Sequence, residues 1–86
     1  MSSYTIIITD PAQKDIRRLD RHVRERIKTA VLGLADNPRP PGCTQIKSEP
    51  GVWRIRVGDW RVAYTIDEAT KTVHILRVAS RGGFYN

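Results

Sequence analysis

The sequence predicts an α+β fold of order β-α-α-β-β-β, with two helices packed on one face of a mostly antiparallel twisted sheet. Three observations carry this expectation. Apolar residues recur at helical spacing between positions 12 and 34. Apolar and polar residues alternate at period two over 52–57 and 60–66. The Gly58-Asp59 pair separates those two runs.

Residues 4–9, rich in isoleucine and threonine, read as a strand. Asp10-Pro11 marks a helix start, with Asp10 as N-cap and Pro11 at the first helical position. Ala12, Ile16 and Leu19 follow at helical spacing, so this helix is expected to run to about Asp20. A second helix begins almost at once, with Val23, Ile27, Ala30, Val31 and Leu34 as its apolar stripe. Asp36-Asn37-Pro38 ends it, and residues 39–44 form a loop rich in proline and glycine. A short strand starts within 45–47. Strands at 52–57 and 60–66 are joined by Gly58-Asp59, and glycine at the first loop position suits a two-residue type II′ hairpin. A turn at 67–71 leads to a last strand at 73–79. The order of strands in the sheet does not follow from these signals.

The chain has 86 residues and is expected to form a single domain, 1–86. Fifteen Lys and Arg against nine Asp and Glu give a net charge of +6. That balance favours a polyanionic partner, nucleic acid or an acidic protein. No stretch approaches the ~20 apolar residues of a membrane span, so no membrane partner is expected. The N-terminus has no basic region before its short apolar run and does not read as a signal peptide, so a cytoplasmic location is expected. Cys43 is the only cysteine, which excludes an internal disulfide; it sits in a Pro-Pro-Gly-Cys-Thr loop without a histidine nearby and does not read as a nucleophile. The chain lacks His-x-x-x-His and any carboxylate cluster at ligand spacing, so no metal is expected. It also lacks a glycine-rich phosphate loop, and no cofactor is expected.

The hairpin decides where the arginines point. With Gly58 and Asp59 as the loop, Val57 pairs with Trp60, Arg56 with Arg61, Ile55 with Val62, Arg54 with Ala63 and Trp53 with Tyr64. Because side chains alternate faces, Trp53, Ile55, Val57, Trp60, Val62, Tyr64 and Ile66 line the core face. Arg54, Arg56 and Arg61 share the other. Like charges directly opposite across a strand pair repel, so Arg56 facing Arg61 is unfavourable unless an anion lies between them; guanidinium groups bind phosphate oxygens in bidentate fashion. A solvated basic face is the simpler alternative. If Leu76 and Val78 face the core, then Arg77, and Arg81 beyond it, join the Arg61 face, bordered by Lys47. Tyr85 can reach this patch through residues 81–84, and an aromatic ring beside arginines suits an RNA base. On the same parity His74 points away from the arginines, while Val73 and Ile75 fall on the arginine face. The helical charges, Asp15 and Asp20 among them, read as solvated faces, with Asp20–Arg24 and Arg21–Glu25 as i,i+4 pairs.

Residues 51–64, Gly-Val-Trp-Arg-Ile-Arg-Val-Gly-Asp-Trp-Arg-Val-Ala-Tyr, and 75–81, Ile-Leu-Arg-Val-Ala-Ser-Arg, resemble the signature of the RelE/ParE toxin superfamily. The Pro-Ala-Gln-Lys-Asp-Ile-Arg-Arg-Leu helix and the Asn37-Pro38 break fit it as well, and the match is nearer to RelE than to ParE. The resemblance implies the toxin of a type II toxin–antitoxin system, a ribosome-dependent endoribonuclease that cleaves mRNA in the ribosomal A site. It further implies a cognate antitoxin as partner, with DNA met only indirectly through the toxin–antitoxin complex. Arg54 and Arg56 stand where the family often has lysines, Arg61 and Arg81 match arginines directly, and Lys47 matches a further basic position. Tyr85 matches the family tyrosine with a shorter spacing after Arg81. The implied catalytic set is therefore Arg54, Arg56, Arg61, Arg81 and Tyr85, with Lys47 and Arg77 binding substrate.

The implied reaction is attack of a ribose 2′-hydroxyl on the adjacent phosphate, giving a 2′,3′-cyclic phosphate and a 5′-hydroxyl. The arginine face offers no histidine or glutamate base, and an arginine is a poor base. Such a cluster acts by stabilising transition-state charge: Arg61 and Arg56 on the non-bridging oxygens, Arg54 in support, Arg81 at the leaving 5′-oxygen, and Tyr85 stacking on a base or activating the 2′-hydroxyl. The ribosome would supply orientation, worth up to ~7–11 kcal/mol. Val73 and Ile75 are the expected antitoxin-docking residues. The alternatives are a ParE-like inhibitor of DNA gyrase without RNase activity and a non-catalytic basic nucleic-acid-binding module. A helix-turn-helix is disfavoured, because the junction at Asp20 is shorter than the usual turn.

Overall fold

In the computed structural model, which describes residues 3–80, both apolar patterns close on one another. The elements are β1 (Thr5–Ile8), α1 (Asp10–Arg17), α2 (Arg21–Asp36), β2 (Thr44–Gln45), β3 (Val52–Val57), β4 (Trp60–Asp67) and β5 (Thr72–Ser80). One five-stranded sheet has the order β1-β5-β4-β3-β2. The β1–β5 pair is parallel and the other three pairs are antiparallel. This is the predicted fold class, with the last strand inserted between the first and the hairpin.

The helices start and stop for local reasons. Thr9, not Asp10, is the N-cap of α1. Its hydroxyl donates to the Ile75 carbonyl at 2.7 Å instead of capping, and Asp10 sits inside the first turn, where a carboxylate favours the helix dipole. α1 ends at Arg17, short of the expected Asp20, because Asp20 caps α2 by accepting from the Val23 N–H at 3.0 Å. That role takes Asp20 away from Arg24: neither expected i,i+4 pair closes to within ion-pair distance among the described residues. Ile27, Val31 and Leu34 of α2 are buried, with Val23 and Ala30 beside them, as their spacing predicts.

On the sheet, Ile55, Val62 and Tyr64 enter the same core, and Trp53, Val57, Trp60 and Ile66 pack against it. The β3–β4 register is the predicted one throughout, from Val57 opposite Trp60 to Trp53 opposite Tyr64. Gly58 has φ +64°, the left-handed region that the first loop position of a type II′ turn demands of it. Tyr64 is fully buried and donates its hydroxyl to the Pro38 carbonyl at 2.7 Å, tying the loop after α2 to the sheet.

Burial raises the Tyr64 phenol well above its ordinary range, with nearby Cys43 adding to the shift and Arg39 opposing it. A group held protonated in the fold contributes stability that is intact below its unfolded value, about pH 10, and is lost as the pH rises beyond it. Tyr64→Phe is expected to cost about 1–2 kcal/mol near neutrality and to flatten the decline in stability above about pH 10. Urea unfolding at neutral and alkaline pH measures both; an unchanged alkaline slope would mean that Tyr64 is not the group responsible.

The last strand departs from the expected pattern. Ala63 pairs with Arg77 and Tyr64 with Ile75, so Leu76 is an extra residue, a β-bulge that reverses the side-chain parity. Val78 remains on the core face, but Val73 and Ile75 are on it as well, fully buried. Leu76 instead packs on the opposite face against Ile46, Val52 and Ala63. His74, opposite Thr65, lies on the arginine face rather than away from it. Val73 and Ile75 therefore cannot form an antitoxin-docking surface; the large exposed apolar side chains among the described residues are Ile7 and Leu32. No helix of the described chain is long and apolar enough to cross a membrane.

Candidate functional site

The face of the sheet away from the helices is built around the small apolar cluster of Ile46, Val52, Ala63 and Leu76. Ile46 is nearly buried, and its N–H donates to the Val52 carbonyl at 2.8 Å. These two anchors fold residues 44–48 beside β3. The result is a cleft of about 610 Å³ lined by Thr44, Gln45, Lys47, Ser48, Arg54 and Arg61, with Cys43, Ile46 and Trp53 completing its wall.

Three of the sequence-predicted residues, Lys47, Arg54 and Arg61, thus share one cavity. Arg54 is opposite Thr44 across the β2–β3 pair, and its Nε donates to the Thr44 hydroxyl at 3.2 Å. That bond uses the one nitrogen of the guanidinium nearest the chain, and the two terminal nitrogens have no partner among the described residues. Arg56 is directly opposite Arg61, as expected, but is exposed toward the hairpin tip and does not line the cleft. Arg81 and Tyr85 lie outside the described residues.

Arg77 has a different setting. It pairs with Ala63, which places its backbone on the arginine face, yet its Nε donates to Asp15 Oδ2 at 2.8 Å. The same oxygen accepts from the Val78 N–H at 2.8 Å, and Asp15 is only 9% exposed. The reason lies in the sheet. β1 pairs with β5 only as far as Ile75, so the backbone beyond it needs other partners. Thr9 and Asp15 supply them. Asp15 is thus no solvated helix charge. Its position within the apolar stripe of Ala12, Ile16 and Leu19 is the sequence signal that marks it.

A second polar network borders the cleft. Arg39 lies 5.2 Å from the centre of the Trp53 ring and bonds Glu68 Oε2 at 2.8 Å. Hydrogen bonds from Tyr4 and Arg39 hold the Glu68 carboxyl below its usual range. This network joins the loop after α2 to the β4–β5 turn.

With this geometry established, similarity to known proteins decides the family. Residues 6–83 match the family described as ParE toxin of type II toxin–antitoxin system, parDE. The chain is 32% identical to toxin RelE of Mycobacterium tuberculosis over 95% of its own length and 86% of the relative's. This chain belongs to the RelE/ParE toxin superfamily. Among solved structures, the RelE-type toxin–antitoxin complex RelBE2 from M. tuberculosis superposes with TM-score 0.85 at 30% identity, covering 94% of each chain. The archaeal RelE–RelB complex from Pyrococcus horikoshii OT3 shares the fold, with TM-score 0.82 at 23% identity over 95% of this chain and 99% of that one. The toxin fold therefore frames the arginine face, and toxin RelE and the RelBE2 complex are each similar to this chain at 30% identity or above.

Proposed function

We propose that this toxin is a ribosome-dependent endoribonuclease that cleaves mRNA through the cleft on its arginine face and so inhibits translation. The observation that carries the reading is the convergence of Lys47, Arg54 and Arg61 on one cavity, with Arg56 opposite Arg61, in a chain related to RelE. Guanidinium groups on an antiparallel hairpin, with a lysine beside them, are suited to a phosphate whose charge grows during reaction. Arg61 takes the non-bridging oxygens of the phosphorane-like transition state, and Arg56, opposite it on β3, reaches them from beside the cleft. Arg54, held at Nε by Thr44, supports them, and Lys47 binds the adjoining backbone. Arg81 is assigned to the leaving 5′-oxygen and Tyr85 to the base or the 2′-hydroxyl. Arg77 is committed to Asp15 and serves the border of the face more than the reaction.

The 2′-hydroxyl attacks the neighbouring phosphorus, the P–O5′ bond breaks, and the products are a 2′,3′-cyclic phosphate and a 5′-hydroxyl. Among the described residues lining the cleft there is no carboxylate or imidazole to take the 2′ proton, so orientation by the ribosome is the natural complement. The purified toxin is expected to cut ribosome-bound mRNA well and free RNA poorly. Mapping mRNA ends in translating extract, beside the same RNA without ribosomes, tests this; equal rates on naked RNA would reject the ribosome-assisted mechanism.

The solved relatives RelBE2 and RelE–RelB are toxin–antitoxin complexes, which supports a cognate antitoxin as the partner here, and the +6 charge suits an acidic one. Function on ribosomes places the toxin in the cytoplasm. A second reading is favoured by the family description: gyrase inhibition on the ParE pattern. Absence of cleavage of either RNA, together with loss of gyrase supercoiling, would decide for it.

A further inference from the structure

The cations of this chain do not end at the cleft. β1 stops pairing with β5 at Ile75, and α1 meets the free edge of β5 beyond that point. A second cavity, of about 240 Å³, opens there, lined by Pro11, Lys14, Asp15, Arg18 and Arg77. Arg77 connects the two places. It pairs with Ala63, which faces Arg54 on the other side, and it stands two residues along β5 from Ala79, which faces Arg61. Its side chain turns over the sheet edge to Asp15 and stays 47% exposed.

Lys14 and Arg18 stand one turn apart on α1, Arg18 at the C-cap. Like charges at that spacing repel. Both residues are exposed, and neither side chain has a hydrogen bond or ion pair among the described residues. The carboxylate in the cavity is nearly buried and accepts from Arg77 and the Val78 N–H, so it is already committed. The fold has no evident need of three cations here, whereas a polyanion lying across them removes the repulsion. Pro11 is the apolar member of the lining, and protein-docking sites carry a more apolar centre, so a phosphate chain fits better than a protein surface.

We propose that an RNA strand held in the cleft continues past Arg77 onto α1, where Lys14 and Arg18 contact its backbone phosphates. The proposal rests on the reading of the cleft as an RNA site and adds to it a track that ignores base sequence.

Binding of the purified toxin to uridine oligonucleotides, followed by fluorescence anisotropy over a range of salt concentrations, tests it. Each phosphate contact on a single strand contributes about 0.7 to the slope of log affinity against log salt. With a dodecamer, Lys14→Ala and Arg18→Ala should each lower that slope by about 0.7. With a trinucleotide, too short to join the cleft to α1, both should bind as the native toxin does, whereas Arg61→Ala should weaken binding of either oligonucleotide. Lys28→Ala removes the same charge from α2, outside both cavities, and should leave the dodecamer slope unchanged. An unchanged slope in both α1 variants would overturn the track, and weaker binding of poly-glutamate by the same variants would then assign the patch to an acidic protein. An equal fall in Lys28→Ala would reduce the effect to net charge, and an equal fall with the trinucleotide would mark a separate anion site; either overturns the track. The expected slopes without cleavage of ribosome-bound mRNA would overturn the nuclease reading and leave the track standing.

Discussion

Arg61→Ala is expected to lower cleavage of ribosome-bound mRNA by about two to three orders of magnitude, the usual loss for one donor to a charged transition state. Arg61 is on β4 with its side chain away from the helix-side core, partly exposed, and opposite Arg56. Its removal creates no core cavity, so thermal stability should change by less than about 1 kcal/mol. Arg61→Lys keeps the charge but loses the bidentate fork and should restore activity only in part. Arg24→Ala, on α2 and far from the cleft in the fold, should cut almost normally. Rates from primer extension together with melting temperatures separate these effects. A stable Arg61→Ala toxin with native cleavage would reduce the arginine face to a solvated surface.

The largest effect on stability is expected at Asp15. Its carboxylate is nearly buried and accepts from both the Val78 N–H and the Arg77 guanidinium. Alanine there would strand a buried backbone donor and end an ion pair that is half-exposed only on the arginine side. Leaving a buried N–H unmet costs about 1–3 kcal/mol, and a charged hydrogen bond contributes about 1.5–3. The two overlap, so Asp15→Ala should cost about 2–4 kcal/mol, which lowers the melting temperature of a domain of this size by roughly 10–25 °C. Asp15→Asn keeps an acceptor for Val78 and should lose about half as much. A loss for Asp15→Ala under about 0.5 kcal/mol would show that solvent satisfies this edge of β5 without the helix.

These two residues also mark how far the chain could be read before folding. Arg61 was legible because a two-residue loop and a period of two place every side chain of the hairpin on a known face. The same logic set the core face of β3 and β4 and the apolar stripe of α2, all of which depend on neighbours close in sequence. Lys47 was legible as a basic residue at the border of the hairpin, but Thr44 and Ile46, which orient Arg54 and anchor that border, make their contacts only once β2 has docked on β3.

The last strand shows where local periodicity gave way. A strict alternation through β5 put Leu76 in the core and Val73 and Ile75 outside, whereas the bulge at Leu76 reverses that. The adjacent apolar pair Ile75-Leu76 carried the signal of a change in parity. Its resolution required two separate apolar environments, the helix-side core for Ile75 and the Ile46 cluster for Leu76, and neither exists until distant segments meet. Asp15 follows the same rule. By itself the sequence determined the fold class, the helix faces and the hairpin with its facing arginines, because each is set by spacing along the chain. Only the tertiary structure decided that β5 lies between β1 and β4, that its edge beyond β1 takes a carboxylate from α1, and that residues 44–48 close a cleft over Arg54 and Arg61. Those features satisfy backbone groups and bury side chains across large separations in sequence, and no local pattern encodes which partner will arrive.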